Sequence, residues 1–126
     1  MTSTESRPVL MVVDDDPSVL LLVDVLAERL GFKVKAVTSG LQALEQLRDG
    51  FRPAVILLDI MMERIDGLRF LTHLREMESV ARTPVIAMST SAVLDRYGVL
   101  LAVDGRLIKP ITQQALSDAL QPYLSR

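Results

Sequence analysis

The chain alternates five strand-like runs with stretches of helical periodicity, and this alternation limits the folds open to it. Because parallel strands need long crossover connections, and these are right-handed, the pattern predicts an α/β fold with a doubly wound, five-stranded parallel sheet and five helices. The predicted strands are Val9–Val13, Phe32–Val37, Ala54–Leu58, Val85–Met88 and Arg106–Ile108.

Capping residues mark the ends of the predicted helices. Asp16-Pro17 combines an N-cap with a proline at the first helical position, and Gly31 lies where a left-handed C-cap belongs. Alternating lysines in the second strand suit an edge position. The other helices are predicted from Ser39-Gly40 to Asp49-Gly50, from Asp66-Gly67 past Leu74, over Ala92–Ala102 and over Gln113–Leu124.

Length and composition exclude several classes of protein. A chain of 126 residues with 49% hydrophobic residues fits one domain. The absence of cysteine excludes disulfides and thiol chemistry, and a single histidine, His73, excludes a zinc site with two histidines. The net charge of -2 gives no reason to expect nucleic-acid binding. The run Val9–Val13 is too short to cross a membrane or form a signal peptide, so we expect a cytoplasmic protein.

Polar side chains follow four of the five predicted strands, at the point where each strand ends. Because the carboxyl ends of parallel strands meet at one edge of a doubly wound sheet, we expect these side chains to converge where such sheets bind ligands. They are Asp14, Asp15 and Asp16 after the first strand, Asp59 after the third, Ser89 and Thr90 after the fourth, and Lys109-Pro110 after the fifth.

Clustered carboxylates opposite a lysine form a site suited to a phosphoryl group. Carboxylates held together repel each other, and Mg²⁺ relieves that repulsion because it prefers oxygen ligands. Lys109 neutralises further negative charge, and a hydroxyl donates a hydrogen bond to an anionic oxygen. A carboxylate can also act as the nucleophile and form an aspartyl phosphate. The sequence therefore predicts a site for Mg²⁺-dependent phosphoryl transfer.

In order and spacing, these residues resemble the response-regulator receiver domains of two-component signalling. The resemblance implies a flavodoxin-like sheet with strand order 2-1-3-4-5, a flexible N-terminal segment over residues 1–7 and a receiver domain over residues 8–126. It is carried by Val12-Val13-Asp14-Asp15-Asp16-Pro17, Leu57-Leu58-Asp59-Ile60-Met61-Met62, Asp66-Gly67, Pro84-Val85-Ile86, Ser89 and Lys109-Pro110.

The resemblance implies that Asp59 is the phosphoacceptor and that Mg²⁺ binds beside it. Asp14 and Asp15 organise the ion, and Asp15 is the more direct ligand of the two. Asp59 itself and the backbone carbonyl of Met61 complete the protein ligands.

The resemblance also implies how the phosphoryl group is held and where it comes from. Lys109 contacts the phosphoryl oxygens and is joined to Pro110 by a cis peptide bond. Ser89 takes the place of the hydroxyl residue that moves toward the phosphoryl group. The expected donor is a sensor histidine kinase or a histidine phosphotransfer protein, and the output partner is unspecified.

Three features depart from the family's pattern. Glu63 stands where the loop after the phosphoacceptor often carries proline, which predicts a looser and more acidic loop. Arg106 stands where many members carry a tyrosine or phenylalanine that changes rotamer on activation, and an arginine cannot bury in the same way. The interval from Ser89 to Lys109 is shorter than is common, and the weak helix within it is expected to be short or irregular.

Three functions remain open at this point. The leading hypothesis is a phosphorylation-controlled signalling switch that is not an enzyme beyond removing its own phosphoryl group. A second is a receiver-like interaction module with altered or lost switching, which Arg106 and the weak fourth helix favour. A third is a Mg²⁺-dependent phosphohydrolase, which usually carries an acidic residue two positions after the nucleophile; Met61 stands there instead.

Overall fold

The computed structural model describes residues 7–62, 67–97 and 103–124. Within these residues, five parallel strands form one sheet in the order β2-β1-β3-β4-β5. The predicted doubly wound sheet and its strand order are therefore confirmed, as is the edge position of the lysine-bearing strand. The strands are β1 (Val9–Val13), β2 (Lys33–Val37), β3 (Val55–Asp59), β4 (Val85–Ser89) and β5 (Gly105–Ile108).

Helices connect the strands and cover both faces of the sheet. The last predicted helix was too long: the α-helix ends at Leu120 and the chain tightens into a 3-10 helix over Gln121–Tyr123. Pro122 explains the change, because it has no N–H with which to continue the α-helical ladder. The helices are α1 (Pro17–Leu30), α2 (Gly40–Arg48), α3 (Gly67–Glu76), α4 (Ser91–Tyr97) and α5 (Gln113–Leu120).

Alternate residues of each central strand enter two separate hydrophobic clusters. One cluster joins the sheet to α2, α3 and α4, and the other joins it to α1 and α5. All five residues of β3 are buried, including Asp59 at its carboxyl end. The fold therefore places a carboxylate at the end of a fully buried strand, where only specific partners can satisfy it.

The predicted caps of α1 are confirmed. Asp16 accepts a hydrogen bond from the N–H of Ser18 at 2.9 Å, and Gly31 adopts a left-handed conformation with φ of 110°. His73 lies exposed on α3. Among the described residues, α1 is the longest helix at 14 residues, and none of their helices has the length and apolarity needed to cross a membrane.

Some predictions fall partly or wholly outside the described residues. The fourth helix begins at Ser91, one residue earlier than predicted, and is described to Tyr97. The remainder of the predicted range Ala92–Ala102 lies outside the described residues, as do Glu63, Asp66 and residues 1–6 of the predicted N-terminal segment.

Candidate functional site

Asp14, Asp59 and Lys109 form an ion-paired group at the carboxyl edge of the sheet. Because β1 and β3 are neighbours and pair Val13 with Leu58, the residues that follow them lie side by side. The Lys109 Nζ lies 2.9 Å from Asp14 Oδ2 and 3.5 Å from Asp59 Oδ2. Both carboxylates are buried, so their attraction to the lysine is only weakly screened by solvent.

Each buried carboxylate is held by one backbone N–H as well as by Lys109. The N–H of Asp16 donates to Asp14 Oδ1 at 2.8 Å, and the N–H of Met61 donates to Asp59 Oδ1 at 3.0 Å. In both residues the other oxygen, Oδ2, therefore faces the lysine. The local turns after β1 and β3 fix the orientation of the two side chains.

Asp15 completes a group of three carboxylates that can hold a metal ion. One oxygen from each of Asp14, Asp15 and Asp59 lies within 4.8 Å of the others, and Asp15 is exposed where the other two are buried. Opposite ligands of Mg²⁺ are separated by about 4.2 Å, so a small contraction would bring these oxygens to coordinating distance. The residues present therefore fit a hard divalent cation.

The two methionines after Asp59 differ in their surroundings. The side chain of Met62 is buried, whereas that of Met61 is 55% exposed. Met61 nevertheless adjoins the carboxylates, because its own N–H contacts Asp59.

The surroundings of the cluster shift the pKa of two groups. Burial is the largest influence on Asp59 and raises the pKa of its carboxyl from 3.8 to about 6. The hydrogen bond from Met61 and the charge of Lys109 oppose this rise, and the negative charge of Asp14 adds to it. Burial lowers the pKa of Lys109, but its hydrogen bond to Asp14 and the charges of both aspartates outweigh burial and leave that pKa above its ordinary value.

Ser89 and the Lys109-Pro110 pair lie at the same edge. Ser89 is buried as the last residue of β4, and its carbonyl accepts a hydrogen bond from the N–H of Lys109 at 2.8 Å. The peptide bond between Lys109 and Pro110 is cis, as predicted. The structure thus brings the predicted residues of four strand ends together at one edge.

Arg106 lies on β5 opposite Ala87, and its side chain is exposed. Its neighbour Leu107 is buried against α1 and α5, so alternation along the strand directs Arg106 toward the opposite face of the sheet. The arginine side chain is therefore not buried in the way expected of an aromatic residue at this position.

An apolar groove of about 430 Å³ adjoins the cluster. One of its lining residues, Leu22, belongs to a set of exposed apolar residues on α1, where Leu21, Leu22 and Val25 are 67%, 41% and 43% exposed. This surface was not predicted from the sequence, although the consecutive exposed leucines Leu21 and Leu22 are a signal for it. The groove is lined by Ser18, Val19, Leu22, Thr90, Lys109, Pro110 and Ile111.

A doubly wound sheet with three acidic residues and a lysine at its carboxyl edge defines the class of signalling domains that are phosphorylated on aspartate. The chain belongs to the response regulator receiver domain family, whose model matches residues 10–121. It is thus a receiver domain of two-component, phosphorelay signalling, and receiver domains are phosphoacceptor domains rather than classical enzymes.

Relatives with different overall organisation share this domain. The chain is 32% identical over 119 residues to a transcriptional regulatory protein, the CpxR homolog of Haemophilus influenzae. That match covers 93% of this chain and 50% of the relative. The chain is also 30% identical over 125 residues to the sensor histidine kinase GacS of Pseudomonas protegens, in a match that covers 94% of this chain and 13% of GacS. The chain therefore spans half or less of these two relatives.

The fold also matches a solved chemotaxis protein. CheY4 of Vibrio cholerae superposes with a TM-score of 0.83 at 26% sequence identity, and the match covers 94% of this chain and 100% of that one.

Proposed function

We propose that Asp59 accepts a phosphoryl group from a phosphohistidine on a sensor histidine kinase or histidine phosphotransfer protein. An Asp59 carboxylate oxygen forms the new bond to phosphorus, the phosphorus–nitrogen bond breaks, and the imidazole leaves with the electron pair. The observation that carries the proposal is the position of Asp59 Oδ2, 3.5 Å from Lys109 Nζ and within the group of three carboxylates.

The contacts of the two buried carboxylates favour Asp59 over Asp14 as the nucleophile. Both oxygens of Asp14 are engaged in short hydrogen bonds, one from the N–H of Asp16 at 2.8 Å and one from Lys109 at 2.9 Å. Asp59 has one comparable bond, from Met61, and a longer contact to the lysine. Its Oδ2 is therefore the oxygen that can reach phosphorus with least disruption of the cluster.

Mg²⁺ is the cation that we propose for the site. Asp14, Asp15 and Asp59 would hold it, with Asp15 as the exposed ligand and the carbonyl of Met61 as a further oxygen donor. When bound, the ion neutralises charge on the carboxylates and on the transferring phosphoryl group. Lys109 supplies the remaining positive charge and would move from Asp14 toward the phosphoryl oxygens.

Phosphorylation would change the surface near α4. Ser89 is buried next to the site and lies two residues before α4. A hydrogen bond from its hydroxyl to a phosphoryl oxygen would therefore shift the first residues of that helix toward the site. Because Arg106 is exposed, the change would be transmitted by this backbone link and not by a buried aromatic side chain. We propose that the domain acts in this way as a cytoplasmic switch for an output partner.

The groove beside Lys109 is the surface that we propose for the donor protein. Lys109 both lines the groove and contacts Asp59, so a histidine seated above the groove lies next to the acceptor oxygen. The exposed Leu22 extends the apolar surface along α1, and apolar patches of this kind commonly bind other proteins. The donor would present an apolar face around its phosphohistidine.

Leu22→Asp is expected to slow phosphoryl transfer from the donor protein by about tenfold or more, because it places a charge in an apolar contact. Transfer from acetyl phosphate should be unchanged, since that donor is too small to use the groove. Leu41→Asp on α2 is the matched control, because Leu41 is also an exposed leucine but lies outside the groove. If Leu22→Asp lowers the rate of phosphoryl transfer equally with both donors, the proposed docking surface is contradicted.

The proposed function is tested by incubating the protein with acetyl phosphate and measuring its intact mass. We expect one added phosphoryl group with Mg²⁺ and none after chelation with EDTA. No adduct under either condition would overturn the proposal and favour an interaction module without phosphorylation. Repeated turnover of ordinary phosphate monoesters would instead identify a phosphohydrolase.

A further inference from the structure

Gly67, the first residue of α3, lies unusually close to the backbone of Ile60. A Cβ at position 67 would lie 2.6 Å from the Cα of Ile60 and 2.8 Å from its Cβ and Cγ2. Such distances are shorter than real van der Waals contacts, and the nearest atom belongs to the backbone, which cannot rotate away. Gly67 does not have a positive φ, so the need for glycine arises from this close approach and not from backbone conformation.

Ile60 is held by hydrogen bonds on both sides of its Cα. Its N–H donates to the carbonyl of Met88 on β4 at 3.3 Å, and its carbonyl accepts from the N–H of Gly67 at 3.1 Å. The close approach of Gly67 is what allows the second bond. The start of α3 therefore fixes the backbone that immediately follows β3.

The next residue along the chain links this contact to the site. Met61 donates its N–H to Asp59 Oδ1 at 3.0 Å, and it is joined directly to Ile60. Any shift of the Ile60 backbone therefore changes both that hydrogen bond and the position of the Met61 carbonyl. Asp59 directly precedes Ile60 in the chain, so both sequence neighbours of Ile60 belong to the site.

We propose that Gly67 is a positioning residue for phosphoryl transfer: it lets α3 hold Ile60 so that Met61 orients the carboxylate of Asp59. The proposal rests on the proposed function, because it assigns a role in reaction at Asp59. A Cβ at position 67 displaces the loop after Asp59, turns its carboxylate away from the in-line geometry and moves one oxygen ligand of the cation.

Gly67→Ala is expected to lower the rate constant for phosphorylation at saturating acetyl phosphate by about tenfold to a hundredfold, as expected for a displacement of about 1 Å at a reacting group. It should also weaken Mg²⁺ binding, followed through the amide signals of Asp59 and Met61 in NMR spectra. Alanine favours helix more than glycine does, so a purely local effect on α3 would stabilise the protein and leave both measurements unchanged.

Gly105→Ala provides the matched control. A Cβ there would lie 3.5 Å and 3.8 Å from side-chain atoms of Ile86, which is ordinary contact, and Gly105 has no positive φ either. We expect its phosphorylation rate and Mg²⁺ affinity to equal those of the wild type. Wild-type rate and Mg²⁺ affinity in Gly67→Ala would overturn the inference.

Leu74→Ala keeps the experiment decisive if Gly67→Ala does not fold. This variant shortens a buried side chain of α3 and leaves the approach of Gly67 to Ile60 intact, so we expect lower stability with an unchanged rate at saturating donor. A rate loss in Leu74→Ala would show that the general packing of α3, and not the approach of Gly67, orients the loop. If wild type itself gains no phosphoryl group, the proposed function fails independently of these variants.

Discussion

Asp59→Asn is expected to abolish phosphoryl incorporation from either a phosphohistidine protein or acetyl phosphate. The asparagine amide lacks the anionic oxygen that attacks phosphorus, and loss of a reacting nucleophile typically lowers a rate by at least about 10⁴-fold. Asp14 cannot substitute efficiently, because both of its oxygens are held by short hydrogen bonds. Intact mass measured over time, with Mg²⁺ and excess acetyl phosphate, provides the test.

Asp16→Asn is the matched control for this variant. Asp16 is an exposed residue beside the cluster whose side chain caps α1, and asparagine caps helices as well as aspartate does. We expect this variant to be phosphorylated at the wild-type rate. An undiminished adduct in Asp59→Asn, or an adduct mapped to the segment that contains Asp14, would show that the nucleophile has been assigned wrongly.

The sequence was sufficient to predict the sheet and the grouping of its polar strand ends, because both follow from local patterns. Short apolar runs specify strands, and the parallel connections then bring the ends of β1, β3, β4 and β5 to one edge. The caps at Asp16 and Gly31 were equally predictable, since capping depends on residues close in sequence.

Features that depend on how elements pack were not predictable in the same way. The capping residues predict α1, but they could not show that Leu22 stays exposed beside the groove. That outcome depends on which elements cover the helix. The contact between Gly67 and Ile60 is also invisible in the sequence, because only the folded backbone brings the two residues together.

Geometry also explains why the candidate nucleophile is an unfavourable residue for the fold. Asp59 ends a strand that is buried throughout, and it shares the ammonium group of Lys109 with Asp14. Within the part of the chain that the structure describes, two buried carboxylates thus share one positive partner, and the excess negative charge costs stability unless a proton or a cation compensates it. The excess negative charge that prepares the site for a cation therefore lowers the stability of the cation-free domain.

In cation-free buffer, Asp59→Asn is expected to raise the free energy of unfolding at neutral pH. Burial raises the pKa of Asp59 from 3.8 to about 6, so the folded protein holds this proton more tightly than the unfolded chain does. The resulting stabilisation is complete below pH 3.8 and is lost as the pH rises through about 6. At about 1.4 kcal/mol per pKa unit, the wild type loses about 3 kcal/mol that the asparagine variant keeps.

Urea denaturation followed by circular dichroism, from pH 4 to pH 7.5 with EDTA, measures this difference. The stability gap between Asp59→Asn and wild type should widen by about 2.4 kcal/mol across that range, with the rest of the difference developing below pH 4, since groups remote from the cluster titrate alike in both proteins. Lys109 keeps its proton throughout, because its pKa is raised. Mg²⁺ should narrow the gap at neutral pH, because it binds the ionised carboxylate of the wild type. A gap that stays constant with pH would show that Asp59 ionises in the folded domain as freely as in the unfolded chain.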